Sequence, residues 1–155
     1  MKKVYVKVFT AVVIGLFGSI VGCAQARPDL IVRGAVITKD ASGLFVEKIT
    51  VVVMNTCAGS RSAPSYVLVT FKTDSAPNAK AIYYIGNSIK ALAGGESQVQ
   101  TFDVAEKKIG VGRYVFVEAD PYKKVAEASE DNNWRTLFPD AGGTVLSPAQ
   151  CKPKP

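Results

Sequence analysis

Apolar and polar positions alternate along the chain in short runs. Asp29–Lys39 (DLIVRGAVITK) begins with alternating apolar positions, and Glu47–Asn55 (EKITVVVMN) sets Ile49, Val51 and Val53 on one face. Pro64–Asp74 (PSYVLVTFKTD) places Tyr66, Leu68 and Thr70 opposite Val67, Val69 and Phe71, and Ala81–Ile85 is a further β-rich run. Gln98–Val104 and Arg113–Ala119 continue the pattern, with Val115, Val117 and Ala119 facing one way, and Asn133–Phe138 is the last run. A period of two in β-branched and aromatic residues predicts half-buried strands, because successive strand side chains point to opposite faces. Breakers separate the runs: Asp40-Ala41-Ser42-Gly43, Ala58-Gly59-Ser60, Asp74 to Asn78, Gly94-Gly95, Gly110-Val111-Gly112 and Asp120-Pro121. No stretch repeats its apolar residues at amphipathic-helix spacing. About seven short strands in about 110 residues predict an all-β fold, a seven-stranded antiparallel sandwich of immunoglobulin-like type.

The pattern changes upstream of the first strand. Lys2, Lys3 and Lys7 precede an uncharged apolar run from Val8 to Gly22. A basic start followed by an apolar segment is the layout of a secretory signal, and the run is shorter than the roughly 20 residues a spanning helix needs. Residues 1–26 are therefore expected to be a removed signal. Two processing sites compete at its end. Ala24-Gln25-Ala26 fits a general signal peptidase and would free a chain starting at Arg27. Ile20-Val21-Gly22-Cys23 resembles the bacterial lipobox, in which Cys23 is acylated and becomes the new terminus; this is the favoured reading, with a periplasmic or secreted soluble protein as the alternative. Acylation of Cys23 would hold the protein on a membrane surface without spanning it. The chain then divides into a signal (1–26), a sandwich domain (27–138) and an irregular tail (139–155) that holds four of the eight prolines.

Processing changes the charge picture. The whole chain has 19 Lys+Arg against 13 Asp+Glu, a net charge of +6. The signal takes three lysines and no acid with it, which leaves 16 basic residues against 13, or +3. No basic run longer than two remains, so nucleic acid is not an expected partner. With 48% hydrophobic and 21% charged residues, a folded core is expected rather than a disordered chain. The complete absence of histidine removes Ser-His-Asp triads, Cys-His dyads and His-based zinc sites, since His is the usual base near neutral pH and the commonest metal ligand. Of the three cysteines, either cleavage leaves Cys57 and Cys151 to pair in an exported protein, where disulfides persist. A Cys57–Cys151 bridge is predicted, with an intermolecular bridge or free thiols as the alternatives.

Four segments resemble one family. The stretch Asp120-Pro121-Tyr122-Lys123-Lys124-Val125-Ala126-Glu127-Ala128-Ser129-Glu130-Asp131-Asn132-Asn133 is similar to the "DP…VxExxExNN" signature of CARDB, the cell-adhesion-related domain found in bacteria. Pro28-Asp29-Leu30 resembles its "PDL" opening, Val51 to Asn55 its "VxVxN" strand, and Leu92 to Glu96 its "LxxGE" turn. The resemblance covers about Pro28 to Leu137. The family usually has Gly two residues after the strand-end Asn, where this chain has Cys57. The resemblance implies a seven-stranded sandwich that serves as an extracellular or envelope interaction module, and it implies no ligand.

The acidic turn has two readings. Asp120, Glu127, Glu130, Asp131 and Asn132, with Asn133, offer hard oxygens of the kind calcium takes, yet no EF-hand spacing is present. The alternative is structural: Asp120-Pro121 opens a turn, Asn132 and Asn133 tolerate unusual backbone angles, and the side chains cap backbone donors. Glu127 and Glu130 lack the apolar pocket a glycosidase acid needs. Trp134 and Tyr83-Tyr84 offer an aromatic platform for a sugar or a partner strand, against the commoner fate of core packing. Tyr114, at the head of its strand, is placed to act as a tyrosine corner. Gly94-Gly95 and Gly110-Val111-Gly112 lack the strand-to-helix setting of a phosphate loop and read as turns. The expectation is a non-catalytic, exported envelope module of adhesion type that binds a protein or a surface glycan and needs no cofactor. A calcium-dependent or carbohydrate-binding secreted protein is the alternative.

Overall fold

The valine- and isoleucine-rich runs form strands in the computed structural model, which describes residues 26–76, 78–137 and 144–145. The strands are β1 (Leu30–Lys39), β2 (Val46–Asn55), β3 (Ser65–Lys72), β4 (Ala81–Ile89), β5 (Ser97–Asp103), β6 (Tyr114–Ala119), β7 (Trp134–Leu137) and the two-residue β8 (Thr144–Val145). They make two four-stranded antiparallel sheets, in the orders β5-β2-β1-β8 and β4-β3-β6-β7. The chain builds a hairpin in the first sheet and a hairpin in the second, returns to the first with β5, to the second with β6 and β7 and to the first with β8, in the manner of an immunoglobulin-like sandwich.

The alternation read in the sequence is the alternation that packs. Ile49, Val51 and Val53 of β2 lie fully buried against Val67, Val69 and Phe71 of β3 and Val115, Val117 and Ala119 of β6. Leu30, Val32 and Ala35 of β1 join this core, and Leu92, Phe102, Ile109, Val125 and Leu137 close it from the loops and shorter strands. Each fully buried Val, Leu or Phe contributes about 1.5–3 kcal/mol relative to exposure. The β1–β2 turn is held by Asp40, whose carboxylate accepts hydrogen bonds from Ser42 Oγ (2.8 Å) and the Phe45 amide (3.2 Å). The Ser42 bond, with the two backbone bonds beyond it, draws the Asp40 carboxyl below its usual range.

Two expectations change. β4 runs to Ile89, four residues past the run read in the sequence. Gly86 does not break it, because the pairing with β3 runs on through Gly86 opposite Leu68 to Ile89 opposite Ser65, and a Cβ at Gly86 would stand 3.0 Å from the Val67 carbonyl oxygen. Part of the tail expected to be irregular, Thr144–Val145, pairs with Gly34 and Ala35 of β1, on the edge of β1 that β2 leaves free. Among the described residues the helical content is one 3-10 turn, Ala105–Lys107.

The edge of β4 facing β5 is closed by side chains from the other sheet. Gln100 Nε2 donates to the Ser88 carbonyl (2.8 Å) and accepts at Oε1 from Asn87 Nδ2 (2.9 Å), and Gln98 Oε1 accepts the Lys90 amide (2.9 Å). Open edges invite pairing with other chains, and these glutamines occupy the Ser88 carbonyl and the Lys90 amide at the end of that edge.

Candidate functional site: a polar clasp and an aromatic face

All four motif segments meet at one end of the sandwich, where β1, β3, β5 and β7 begin and β2, β4 and β6 finish. Asn55, fully buried at the end of β2, is the centre of this cluster. Its Oδ1 accepts from the amides of Asp29 (3.1 Å) and Cys57 (3.2 Å), and its Nδ2 donates to the Leu92 carbonyl (3.0 Å) and Ser60 Oγ (3.2 Å). Asp29 takes Thr56 Oγ1 (2.7 Å) and both of its carboxylate oxygens take Asn132 Nδ2 (3.1 Å each), across 103 residues of sequence. Glu127 accepts the Leu30 amide (3.2 Å) and the Asn133 side-chain amide, while the Ala128 amide donates to the Pro28 carbonyl (2.8 Å). In the Leu92–Glu96 turn, Glu96 accepts the Ala93 amide (2.9 Å) and pairs with Lys90 (2.7 Å), and the Lys90 bond holds its carboxyl below the usual range. Gly94 lies so close to the chain after Asn55 that a Cβ there would stand 2.2 Å from the Cys57 carbonyl oxygen. The motif is a clasp: buried polar groups need partners, and Asp29, Asn55, Glu127 and Asn132 each hydrogen-bond another motif segment.

Asp120 performs a similar task one strand away. It sits at φ 47°, and its carboxylate accepts from Ser65 Oγ, the Lys124 amide (3.0 Å) and the Val125 amide (2.7 Å). Asp120 and Lys123, not Asn132 and Asn133, take the left-handed backbone of this turn, because their carboxylate-capped loop turns back before the asparagines are reached. Asp120, Glu127 and Asn132 thus spend their oxygens or amides on protein partners, Glu130 Oε1 accepts the Glu127 amide (3.4 Å), and Asp131 is exposed. Among the described residues no group of three or more Asp, Glu or Cys is placed to hold a metal ion.

Glu127 is the unusual acid. It is almost fully buried, and loss of hydration pushes its carboxyl up to about 8; the Asn133 and Leu30 bonds oppose the rise, and the nearby Glu130 and Asp120 charges add to it. Glu130 Oε2, Asn132 Oδ1 and Asn133 Oδ1 are buried around it without a hydrogen-bond partner. A proton on Glu127 gives this acceptor-rich cluster a donor, which Asn133 can meet with its Oδ1 if its amide turns over.

The second feature is the outer face of the β4-β3-β6-β7 sheet. Tyr84 is 69% exposed and Trp134 48%, and Tyr66, Ile82 and Tyr122 are exposed as well. Phe116 and Glu118 point to the same face of β6. Tyr114 shares that outward alternation, so it does not enter the core as a tyrosine corner does; its strand begins there, and its register opposite Lys72 fixes the side. Of the aromatic pair read in β4, Tyr83 turns inward onto Phe71 (centroids 6.0 Å apart) and Tyr84 outward. The period of two could have assigned those sides, but not which face solvent would reach. The outer face of the other sheet mixes Lys48, Thr50, Thr101 and Asp103 with Val36, Val52 and Val99, and its strands turn no aromatic side chain outward.

Thr70, Lys72, Phe116, Glu118 and Trp134 line a shallow open cleft on the aromatic face. Thr70 stands opposite Phe116, and Glu118 opposite Trp134. The Lys72 ammonium sits 4.2 Å from the Phe116 ring centroid. Burial raises the Glu118 carboxyl, against the pull of Lys72 and Lys123. Sequence reading missed Phe116, Lys72 and Glu118, whose signal was an alternation with large or charged residues on its solvent side.

Cys57 is buried and disulfide-bonded, and the other two cysteines, Cys23 and Cys151, lie outside the described residues together with the signal.

Among curated proteins, none matches the chain. In fold it is similar to a domain, residues 272–376, of a chain named as a cell surface protein of Methanosarcina acetivorans: TM-score 0.55 at 15% identity, over 80% of this chain and 96% of that one. The CARDB family profile matches residues 27–137, the span that holds both the clasp and the sandwich it ties together, and the chain belongs to the CARDB family.

Proposed function

We propose that the protein is a non-catalytic, exported module of the cell envelope that binds another macromolecule, as adhesion-type modules do. One observation carries this reading: the motif acids and amides are consumed in the clasp, while the β4-β3-β6-β7 sheet turns its aromatic side chains to solvent. Exposed aromatic side chains gathered on one sheet face among polar neighbours mark an interaction surface. Membership of CARDB and the likeness to a domain of a named cell surface protein support an envelope location. Lipidation at Cys23 and a Cys57–Cys151 bridge belong to the same proposal, and the bridged, buried Cys57 supports the latter.

The test has two parts. Mass spectrometry of the mature terminus should find a diacylglyceryl group on Cys23; an unmodified Arg27 terminus would make the protein soluble after export, and an uncleaved Met1 would end the export reading. Purified mature domain should bind washed envelopes of the cells that make it. Tyr84→Ser with Trp134→Ala should weaken that binding by more than about tenfold, a loss of about 1.4 kcal/mol, while Val99→Ser on the opposite face should not. Equal binding by all three proteins would remove the aromatic face from the proposal.

A further inference from the structure

The cleft on the aromatic face has a composition that selects a ligand chemistry. We propose that Thr70, Lys72, Phe116, Glu118 and Trp134 hold a pyranose ring of a glycan; the inference deepens the proposed function and rests on it. The cleft measures about 210 Å³. Pockets for drug-sized ligands run to roughly 300–1,000 Å³, so this one accepts a single ring and leaves the rest of its ligand outside.

A pyranose has an apolar face of C–H groups and a rim of hydroxyls that both donate and accept. The cleft offers the matching set. Trp134, half exposed, and Phe116 give aromatic surface for the C–H face. Lys72 donates, the Thr70 hydroxyl donates or accepts, and Glu118 accepts when ionised. The contact between the Lys72 ammonium and the Phe116 ring restricts both side chains before a ligand arrives, which lowers the entropy lost on binding.

Other occupants fit less well. A peptide added as a strand is held mainly by main-chain bonds along a sheet edge, whereas this cleft lies on the outer face of β3, β6 and β7 and is lined by side chains. A peptide side chain needs an enclosed apolar socket, whereas this cleft is open and carries a donor, an acceptor and a hydroxyl. A second aromatic station lies on the same face. Tyr66 and Tyr122 meet edge to face at 6.1 Å, with Lys124 Nζ 5.5 Å and 5.8 Å from their centroids. Tyr66 is four residues before Thr70 on the outward side of β3, about 13 Å along the strand at its usual rise. A chain of linked rings touches both stations; a free monosaccharide touches one.

The chain's only tryptophan is Trp134, so intrinsic emission reports directly on the cleft. Mature protein is titrated with chitohexaose, cellohexaose and hexagalacturonate into the millimolar range. The expected result is a saturable change in Trp134 emission with at least one of them, weaker by about tenfold in Phe116→Ala, the loss of one aromatic contact. Val99→Ser should bind as the parent does. Because Trp134→Ala removes the reporter, its loss of binding is read by calorimetry, and melting curves confirm that each variant is folded. No saturable change with any of the three, or a change that Phe116→Ala leaves intact, overturns the inference. So does an emission change that depends on protein concentration without sugar, which would assign the face to a second copy of the chain. If hexasaccharides fail while envelope binding persists and still needs the aromatic face, the glycan is wrong and the proposed function stands.

Discussion

At the scale of single residues, the chemistry concentrates in two side chains of the clasp. Glu127 has a folded-state value of about 8 against 4.5 as its ordinary one. Between those values the folded chain keeps a proton that the unfolded chain has released, so stability falls as pH rises through that window and is fullest below 4.5. Glu127→Gln removes the titration while its amide can still accept from Leu30 and donate to Asn133 Oδ1. Its melting temperature should match the parent's in acid, exceed it above pH 8, and vary less with pH; parallel profiles would show that Glu127 is not the group responsible. Asn55 is the other key residue. Asn55→Ala strands the Asp29 and Cys57 amides, each costing about 1–3 kcal/mol when left buried and unpaired, while the Leu92 carbonyl keeps the Ser62 amide (2.9 Å). Urea unfolding should show a loss of several kcal/mol, whereas Asp131→Ala, an exposed change in the same signature, should stay within about 0.5 kcal/mol.

At the scale of elements, each strand combines a core side fixed by packing with an outer side free to serve another purpose. Phe71 is the largest fully buried side chain, and Phe71→Ala should cost about 3–5 kcal/mol by equilibrium unfolding. The β4–β5 seam behaves differently. Gln98→Ala with Gln100→Ala removes the bonds to the Lys90 amide and the Ser88 carbonyl, which lie at the strand's edge and regain water when freed. The expected outcome is a small loss of stability together with self-association through β4, seen as concentration-dependent elution on size exclusion. A monomer at all concentrations would show that another feature protects the edge.

At the scale of the molecule, the clasp ties the first strand of the domain to the turn before β7, so the two ends of the matched span fold as one unit. A Cys57–Cys151 bridge would extend that arrangement to the tail. It encloses a loop of nearly a hundred residues, for which the chain-entropy account gives about 4–5 kcal/mol. Unreduced mature protein should then carry no alkylatable thiol, and Cys151→Ser should lower the melting temperature; two reactive thiols would refute the pairing. Calcium is a second whole-molecule test. A ligand that binds only the folded state must raise stability, and with the turn's carboxylates bonded to the protein, melting in millimolar calcium and in chelator should coincide. A rise with calcium would identify the unpaired oxygens of Glu130, Asn132 and Asn133 as ligands.

The sequence by itself determined the fold class, most strand positions and the inward residues of β2, β3 and β6, because a period of two fixes which side chains share a face. It also identified the signature from Asp120 to Asn133, because those residue types recur at family spacing. It did not show that the signature is a clasp, since Asp29 and Asn132 are 103 residues apart and only the closed sandwich brings them to hydrogen-bond distance. Nor did it show the length of β4, which depends on the ladder with β3 continuing through Gly86 opposite Leu68. The cleft was hidden for the same reason: Thr70, Phe116 and Trp134 come from three strands, and only the register of β3, β6 and β7 sets them side by side. Alternation decides sides locally, whereas the identity of a site depends on which strands are neighbours, and that is fixed by burial of the whole core.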